Sequence, residues 1–187
     1  GEMFALRSPV DDHVVKMVDA RSLWQRILTA RVETGEPYIL FIDTVNRSIP
    51  EHQKNLGLVV KQSNLCSEIT LPTGVDYLDN RRTAVCCLSS LNLETWFDWC
   101  EDERFIEDVM RFLDNVLEDF IEKTDGKPGF EAARYSAMRE RSVGLGVMGF
   151  HGFLQSQMIP FESAMAKSWN MRMFRHVRSK CAEASRK

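Results

Sequence analysis

The stretch QSNLCSEI, residues 62–69, places an amide, a thiol and a carboxylate at every second position. In an extended strand or a finger-like loop, side chains at i, i+2 and i+4 project to one side. Asn64, Cys66 and Glu68 are therefore expected to share a face, while Leu65 and Ser67 take the other. A carboxylate next to a thiol disfavours the thiolate, so the trio does not read as a hydrolytic nucleophile. It suits thiol chemistry that needs no thiolate, such as radical hydrogen transfer, with Glu68 taking a proton from substrate and Asn64 holding a hydroxyl. A polar strand edge, with a cysteine buried as a small hydrophobe, fits the residue types alone equally well.

Working outward, the 187 residues are enough for one domain with a core, and 44% hydrophobic against 27% charged residues gives no sign of disorder. We expect one partial domain over residues 1–187, with a finger loop at about 62–70 and a helical part over 101–187. The net charge is −3 and the basic residues are scattered, which excludes an evident nucleic-acid surface. No apolar run approaches the roughly 18 to 20 residues of a membrane helix, and residues 1–9 lack the basic-then-apolar order of a signal peptide. The expectation is a cytoplasmic protein that binds neither membrane nor nucleic acid. The cysteines (Cys66, Cys86, Cys87, Cys100, Cys181) are odd in number and irregularly placed, against a secreted disulfide framework. Any disulfide is expected to be catalytic or transient.

Apolar spacing predicts a helix over 19–34, stopped by Gly35 and Pro37. The run at 38–43 predicts a strand buried on both faces, 46–56 a polar loop, and 83–88 a further strand. Residues 103–122 carry a long apolar stripe opposite acids and predict an amphipathic helix. Helices are also expected at 131–140 and 162–187, with a Gly-rich apolar segment between, at 143–155. The last helix lacks a stop signal and the opening residues lack a cap, so the chain reads as an excerpt of something longer.

Gly144, Gly146 and Gly149 match G-x-G-x-x-G, but a charged helical stretch precedes them where a dinucleotide fingerprint needs a buried strand. The glycines are expected instead to let an apolar helix approach a sheet closely. His13, His52, His151 and His176 have no metal-ligand spacing, and Cys86 and Cys87 would point to opposite faces of a strand, a poor chelate. No metal site is expected.

Three motifs in order, QSNLCSEI at 62–69, AVCCLSSLNL at 84–93 and RERSVGLGVMGF at 139–150, resemble the catalytic subunit of ribonucleotide reductase, most closely the large α subunit of class I enzymes. The resemblance implies an α/β fold, a fragment of a ten-stranded α/β barrel that is predominantly helical here, with few short strands and a central finger loop. It implies that Cys66 is the thiyl-radical cysteine that abstracts the ribose 3′ hydrogen, Glu68 the base at the 3′ hydroxyl, and Asn64 the group that orients substrate, with Leu65 also contacting it. Cys86 aligns with one of the two cysteines that reduce the 2′ position. Cys87 is the competing neighbour, and we favour Cys86 because the strand alternation expected to point Leu88 inward takes Cys86 with it.

The resemblance further implies a ribonucleoside diphosphate substrate, a radical drawn from a separate metal-containing β subunit, and no cofactor bound by this chain. Cys66 and Cys86 are twenty positions apart (86 minus 66), wider than expected of a cobalamin-dependent reductase, the runner-up within the family. From another class, a non-catalytic helical interaction module is the rival. The partner redox cysteine and the loop for substrate phosphates are not identifiable, so the chain alone is expected not to reduce nucleotides and to need the remaining segments of the α subunit.

Overall fold

A hairpin opens the chain, in a stretch where the sequence suggested no element. In the computed structural model, which describes residues 1–187, β1 (Met3–Arg7) and β2 (Val14–Asp19) pair antiparallel, with a register shift between Leu6 and Arg7. They belong to the first of two units, Gly1–Pro50 with Val60–Leu71; the second is Glu51–Val59 with Pro72–Lys187.

In the first unit, α1 (Ala20–Thr34) fills the helix expected over 19–34. Asp19 caps it, its Oδ1 accepting the Ser22 N–H at 2.8 Å, and Gly35 ends it in the left-handed region at φ 82°, where a side chain would be strained. The strand expected at 38–43 does not form. Residues 38–41 are irregular, α2 (Ile42–Ser48) begins inside the run, and Tyr38 and Phe41 are 50% and 69% exposed rather than buried on both faces. Side-chain contacts override the strand propensity: Asn46 Nδ2 donates to the Ile42 carbonyl at 3.0 Å, and Ser48 Oγ to that of Thr44 at 2.9 Å.

The second unit opens with α3 (Glu51–Asn55), directly after Pro50, so the expected loop at 46–56 is largely helical. A short hairpin of β3 (Gly74–Val75) and β4 (Arg81–Arg82) follows. The strand expected at 83–88 forms further along, as β5 (Cys87–Asn92). A 3-10 turn (Leu93–Thr95), α4 (Trp96–Trp99), α5 (Phe105–Lys123) and α6 (Glu131–Glu140) then carry the chain to β6 (Val143–Met148), which pairs parallel with β5 from Cys87↔Val143 to Asn92↔Met148. Parallel pairing demands such a long crossover.

The amphipathic stripe of α5 buries Ile106, Leu113, Leu117 and Ile121. One face of the β5–β6 pair meets this helical layer: Leu91 joins the core of Leu93, Trp96, Phe153, Leu154 and Met173, with Leu145 and Val147 packed against it. Alternation sends Leu88 and Met148 to the opposite face, where they are 55% and 57% exposed. Leu88 therefore points away from the core, not inward as expected. The chain ends with α7 (Phe150–Ser156) and α8 (Ala164–Ala184), the latter capped by Ser163 Oγ accepting the Ala166 N–H at 3.1 Å.

The Gly-rich segment is a correction too: Gly144 and Gly146 lie within strand β6, not in a helix packed on a sheet. Two glycines masked the strand because they carry no β-branched signal, and their use lies across the ladder. A Cβ on Gly144 would overlap Leu88 Cδ2, its partner in register. Gly149, at φ 76°, turns the strand into α7, and a Cβ there would overlap Asn92 Oδ1, which caps the 3-10 turn by accepting the Glu94 N–H at 3.1 Å.

Candidate functional site

The Cys66 loop belongs to the first unit and is held at two points. At its base, Asn46 from α2 grips Val60, which is fully buried: Asn46 Oδ1 accepts the Val60 N–H at 2.9 Å, and Nδ2 donates to the Val60 carbonyl at 2.8 Å. At its tip, the Asn64 N–H donates to the Ile69 carbonyl at 3.3 Å, and Asn64 Oδ1 accepts the Ile69 N–H at 3.0 Å. The Ser67 N–H closes the turn on the Asn64 carbonyl at 3.1 Å, with Ser67 at φ 67°. Two asparagine amides thus supply pairing that a neighbouring strand would otherwise give.

The turn at Leu65–Ser67 breaks the alternation of an extended strand, so the expected single face of Asn64, Cys66 and Glu68 is replaced by a hairpin-like tip. Leu65, at 86%, Cys66 and Glu68 are exposed, whereas Asn64 is half-buried and part of the turn's frame. Its Oδ1 is committed to Ile69, which leaves Nδ2, a donor, as the end of the amide available to a ligand. Ser67 and Thr70 line a groove of about 510 Å³ together with Phe41, Thr44 and Ser48.

Cys86 belongs to the second unit, at the entry to β5. A Cβ on Gly144 would stand 3.6 Å from Cys86 Sγ and against Leu88, which puts Cys86 and Leu88 on the same side of the sheet. Cys87 takes the other side, packed against Leu117, Ile121 and Ala137, and burial pushes its thiol pKa up. The adjacent thiols therefore have different environments, one beside the open face and one in the helical core.

Upstream of Cys86, a buried ionic cluster fixes the β3–β4 hairpin to α6. Arg82 Nε donates to Asp76 Oδ2 at 2.9 Å and Nη1 to Glu140 Oε1 at 2.8 Å; Tyr135 OH donates to Asp76 Oδ2 at 2.9 Å. Burial works against the charge on Asp76, but the N–H groups of Leu78 and Asn80, the Tyr135 hydroxyl and Arg82 prevail and hold its pKa at about 2. For Glu140 burial prevails and raises the pKa despite Arg82. The Thr83 N–H then donates to Ser136 Oγ at 3.0 Å, tying down the segment that leads to Cys86.

The sequence reading missed Asn46, Asp76, Arg82, Tyr135, Glu140 and the role of Gly144. The Asx turn at Asp76 had a signal in the Asp-rich turn of 76–80, but the α6 partners of the hairpin are remote, Glu140 58 residues from Arg82 and Tyr135 59 from Asp76, and no local pattern points to them. No three His, Cys, Asp or Glu side chains converge as a metal-ligand set, and no helix is long and apolar enough to cross a membrane.

Comparison with known proteins gives one consistent family. Residues 6–187 match the family described as "Ribonucleotide reductase, barrel domain". The chain is 49% identical over 173 residues to the ribonucleoside-diphosphate reductase large subunit of Invertebrate iridescent virus 3, covering 91% of this chain and 26% of that protein. It is 44% identical over 187 residues to the putative large subunit of Frog virus 3 (isolate Goorha), covering 100% of this chain and 32% of that protein. Among solved structures, the Actinobacillus ureae class Id ribonucleotide reductase alpha subunit superposes with a TM-score of 0.78 at 38% identity, over 88% of this chain and 31% of that one. The chain thus spans between a quarter and a third of the length of these relatives.

Proposed function

The chain belongs to the ribonucleotide reductase family, as a fragment of its α/β barrel, and we propose that within a full-length catalytic subunit it converts ribonucleoside diphosphates to deoxyribonucleotides by thiyl-radical chemistry. The observation that carries this reading is the exposed Cys66 at a tip framed by Asn64, with Glu68 also exposed two residues further along the chain. Cys66, as a thiyl radical, takes the 3′ hydrogen of the ribose. Glu68 accepts the proton of the 3′ hydroxyl, the Asn64 Nδ2 donates to a substrate oxygen, and the exposed Leu65 covers the sugar. Cys86 and a second cysteine, from a segment outside this chain, supply two electrons and two protons. The C2′–O bond breaks, the oxygen leaves as water, a C2′–H bond forms, and the two sulfurs join as a disulfide; Glu68 returns its proton to the 3′ oxygen and Cys66 returns its hydrogen atom to C3′, which restores the thiyl radical.

The radical comes in this reading from a separate metal-containing β subunit, with no cofactor held by the chain itself and the chemistry in the cytoplasm. The likeness to a class Id alpha subunit supports this class I reading over a cobalamin-dependent one. Cys86 is favoured over Cys87 as the reductant because it lies beside the open face, whereas Cys87 is packed under α5 and α6.

The test is a burst assay on a full-length subunit carrying this segment, pre-reduced and mixed with β subunit and substrate without added dithiol. Parent and Cys87→Ser yield deoxyribonucleotide in a single burst, and Cys86→Ser yields none. A full burst from Cys86→Ser would overturn the assignment.

A further inference from the structure

We infer that Gly144 is a positioning residue for Cys86: by lacking a side chain, it leaves beside the thiol only the movable end of Leu88, which can turn aside when a second sulfur, or an attacking reagent, approaches Cys86 on the exposed face of the β5–β6 sheet. The inference deepens the reading of Cys86 as a reductant and rests on it for its purpose.

Three observations converge on Gly144. It stands opposite Leu88 in the parallel register, and Cys86 lies on the same side as Leu88. A Cβ built at position 144 would lie 3.6 Å from Cys86 Sγ, in van der Waals contact, so even one methyl group occupies the ground beside the sulfur. The backbone there needs no left-handed conformation, since Gly144 is not among the glycines with positive φ. Glycine is therefore not required at 144 by backbone geometry; the room it leaves is taken by Leu88 Cδ2, the end of a side chain that can move where a Cβ could not.

Gly146 supplies an internal control. It lies on the same strand and the same face, opposite Ser90, and a Cβ there would meet Ser90 Oγ at 3.3 Å, with no contact to Cys86. Alanine at either position adds one methyl group to the exposed face of β6, but only at 144 does that methyl touch the thiol. The atom that Gly144→Ala would displace most is Leu88 Cδ2, the far end of a side chain that is 55% exposed and free to turn aside, so the strand pairing survives the change.

The experiment is alkylation by iodoacetamide of a full-length subunit carrying this segment, with the rate at each cysteine read by peptide mass spectrometry. Gly144→Ala is expected to slow labelling of Cys86 by about tenfold, a barrier change of about 1.4 kcal/mol, while labelling of Cys66 is unchanged and Gly146→Ala leaves Cys86 at the parental rate. The same slowing is expected in a Leu88→Ala background, where the overlap with Leu88 no longer exists and folding is not at issue. Equal rates at Cys86 in Gly144→Ala and Gly146→Ala, in both backgrounds, would overturn the inference. Failure of the reductant reading shows separately: Cys86→Ser would then retain the product burst, whatever the alkylation rates.

Discussion

Asn46 and Val60 are joined by two hydrogen bonds, the side-chain amide of one matching both backbone groups of the other at 2.9 and 2.8 Å. Val60 is fully buried, so the loss of Asn46 strands a donor and an acceptor away from water. We predict that Asn46→Ala costs about 2–6 kcal/mol, the range for two buried groups left unsatisfied, and that amide hydrogen exchange quickens at Val60 and along the loop to Ile69. Exchange confined to parental rates at Ile69 would mean that the base of the loop does not brace its tip. Asn46→Asp, which keeps the acceptor and loses the donor, is expected to fall between parent and alanine.

The Asp76–Arg82–Glu140 cluster gives a pH signature. Asp76 is held at about 2, below its ordinary 3.8, so its contribution to stability is present above pH 3.8 and is lost as the pH falls from there toward 2. Glu140 is shifted the other way: its contribution is present below the ordinary glutamate range and is lost as the pH rises through its elevated pKa. Thermal melts of Asp76→Asn should therefore lack the acid-side loss, and those of Glu140→Gln the loss on the alkaline side. Parental slopes in both variants would contradict the account.

Arg82 serves both acids, with its side chain 4% exposed. Removing it leaves carboxylates buried without their cation, so Arg82→Ala is predicted to cost about 3–5 kcal/mol, measured by denaturant unfolding. A cost below about 1 kcal/mol, the scale of a surface pair, would show that the cluster is solvated in solution.

The cysteines should separate by reagent access. Cys66 is exposed at its tip, while Cys87 is packed against Leu117 and Ile121 with its thiol pKa pushed up by burial. Native-state alkylation is predicted to label Cys66 first and Cys87 well after Cys86. Faster labelling at Cys87 than at Cys86 would reverse the assignment of the two faces of β5.

How much of this was legible in the sequence depends on the range of the forces involved. The helices α1, α5, α6 and α8 were readable because their stripes and stops are local: Ile106, Leu113, Leu117 and Ile121 recur at helical spacing, and Gly35 ends α1. Residues 38–43 misled because Tyr38 and Phe41 carry strand propensity, yet Asn46 bonds to Ile42 and Val60 and draws the run into α2. Strand β6 was hidden by Gly144, whose use is visible only once Leu88 lies across from it. The trio at 64–68 was singled out by residue type, but the common face expected of it does not form, because Ser67 turns through the left-handed region and ends the alternation.

The most direct test of the central claim is the formation of deoxyribonucleotide by a full-length subunit carrying this segment with Cys66→Ser, assayed with β subunit and dithiol beside Cys87→Ser. The account predicts no product from Cys66→Ser, since serine cannot furnish the thiyl radical, and turnover from Cys87→Ser near that of the parent. Turnover by Cys66→Ser would contradict it and remove the radical thiol from this loop.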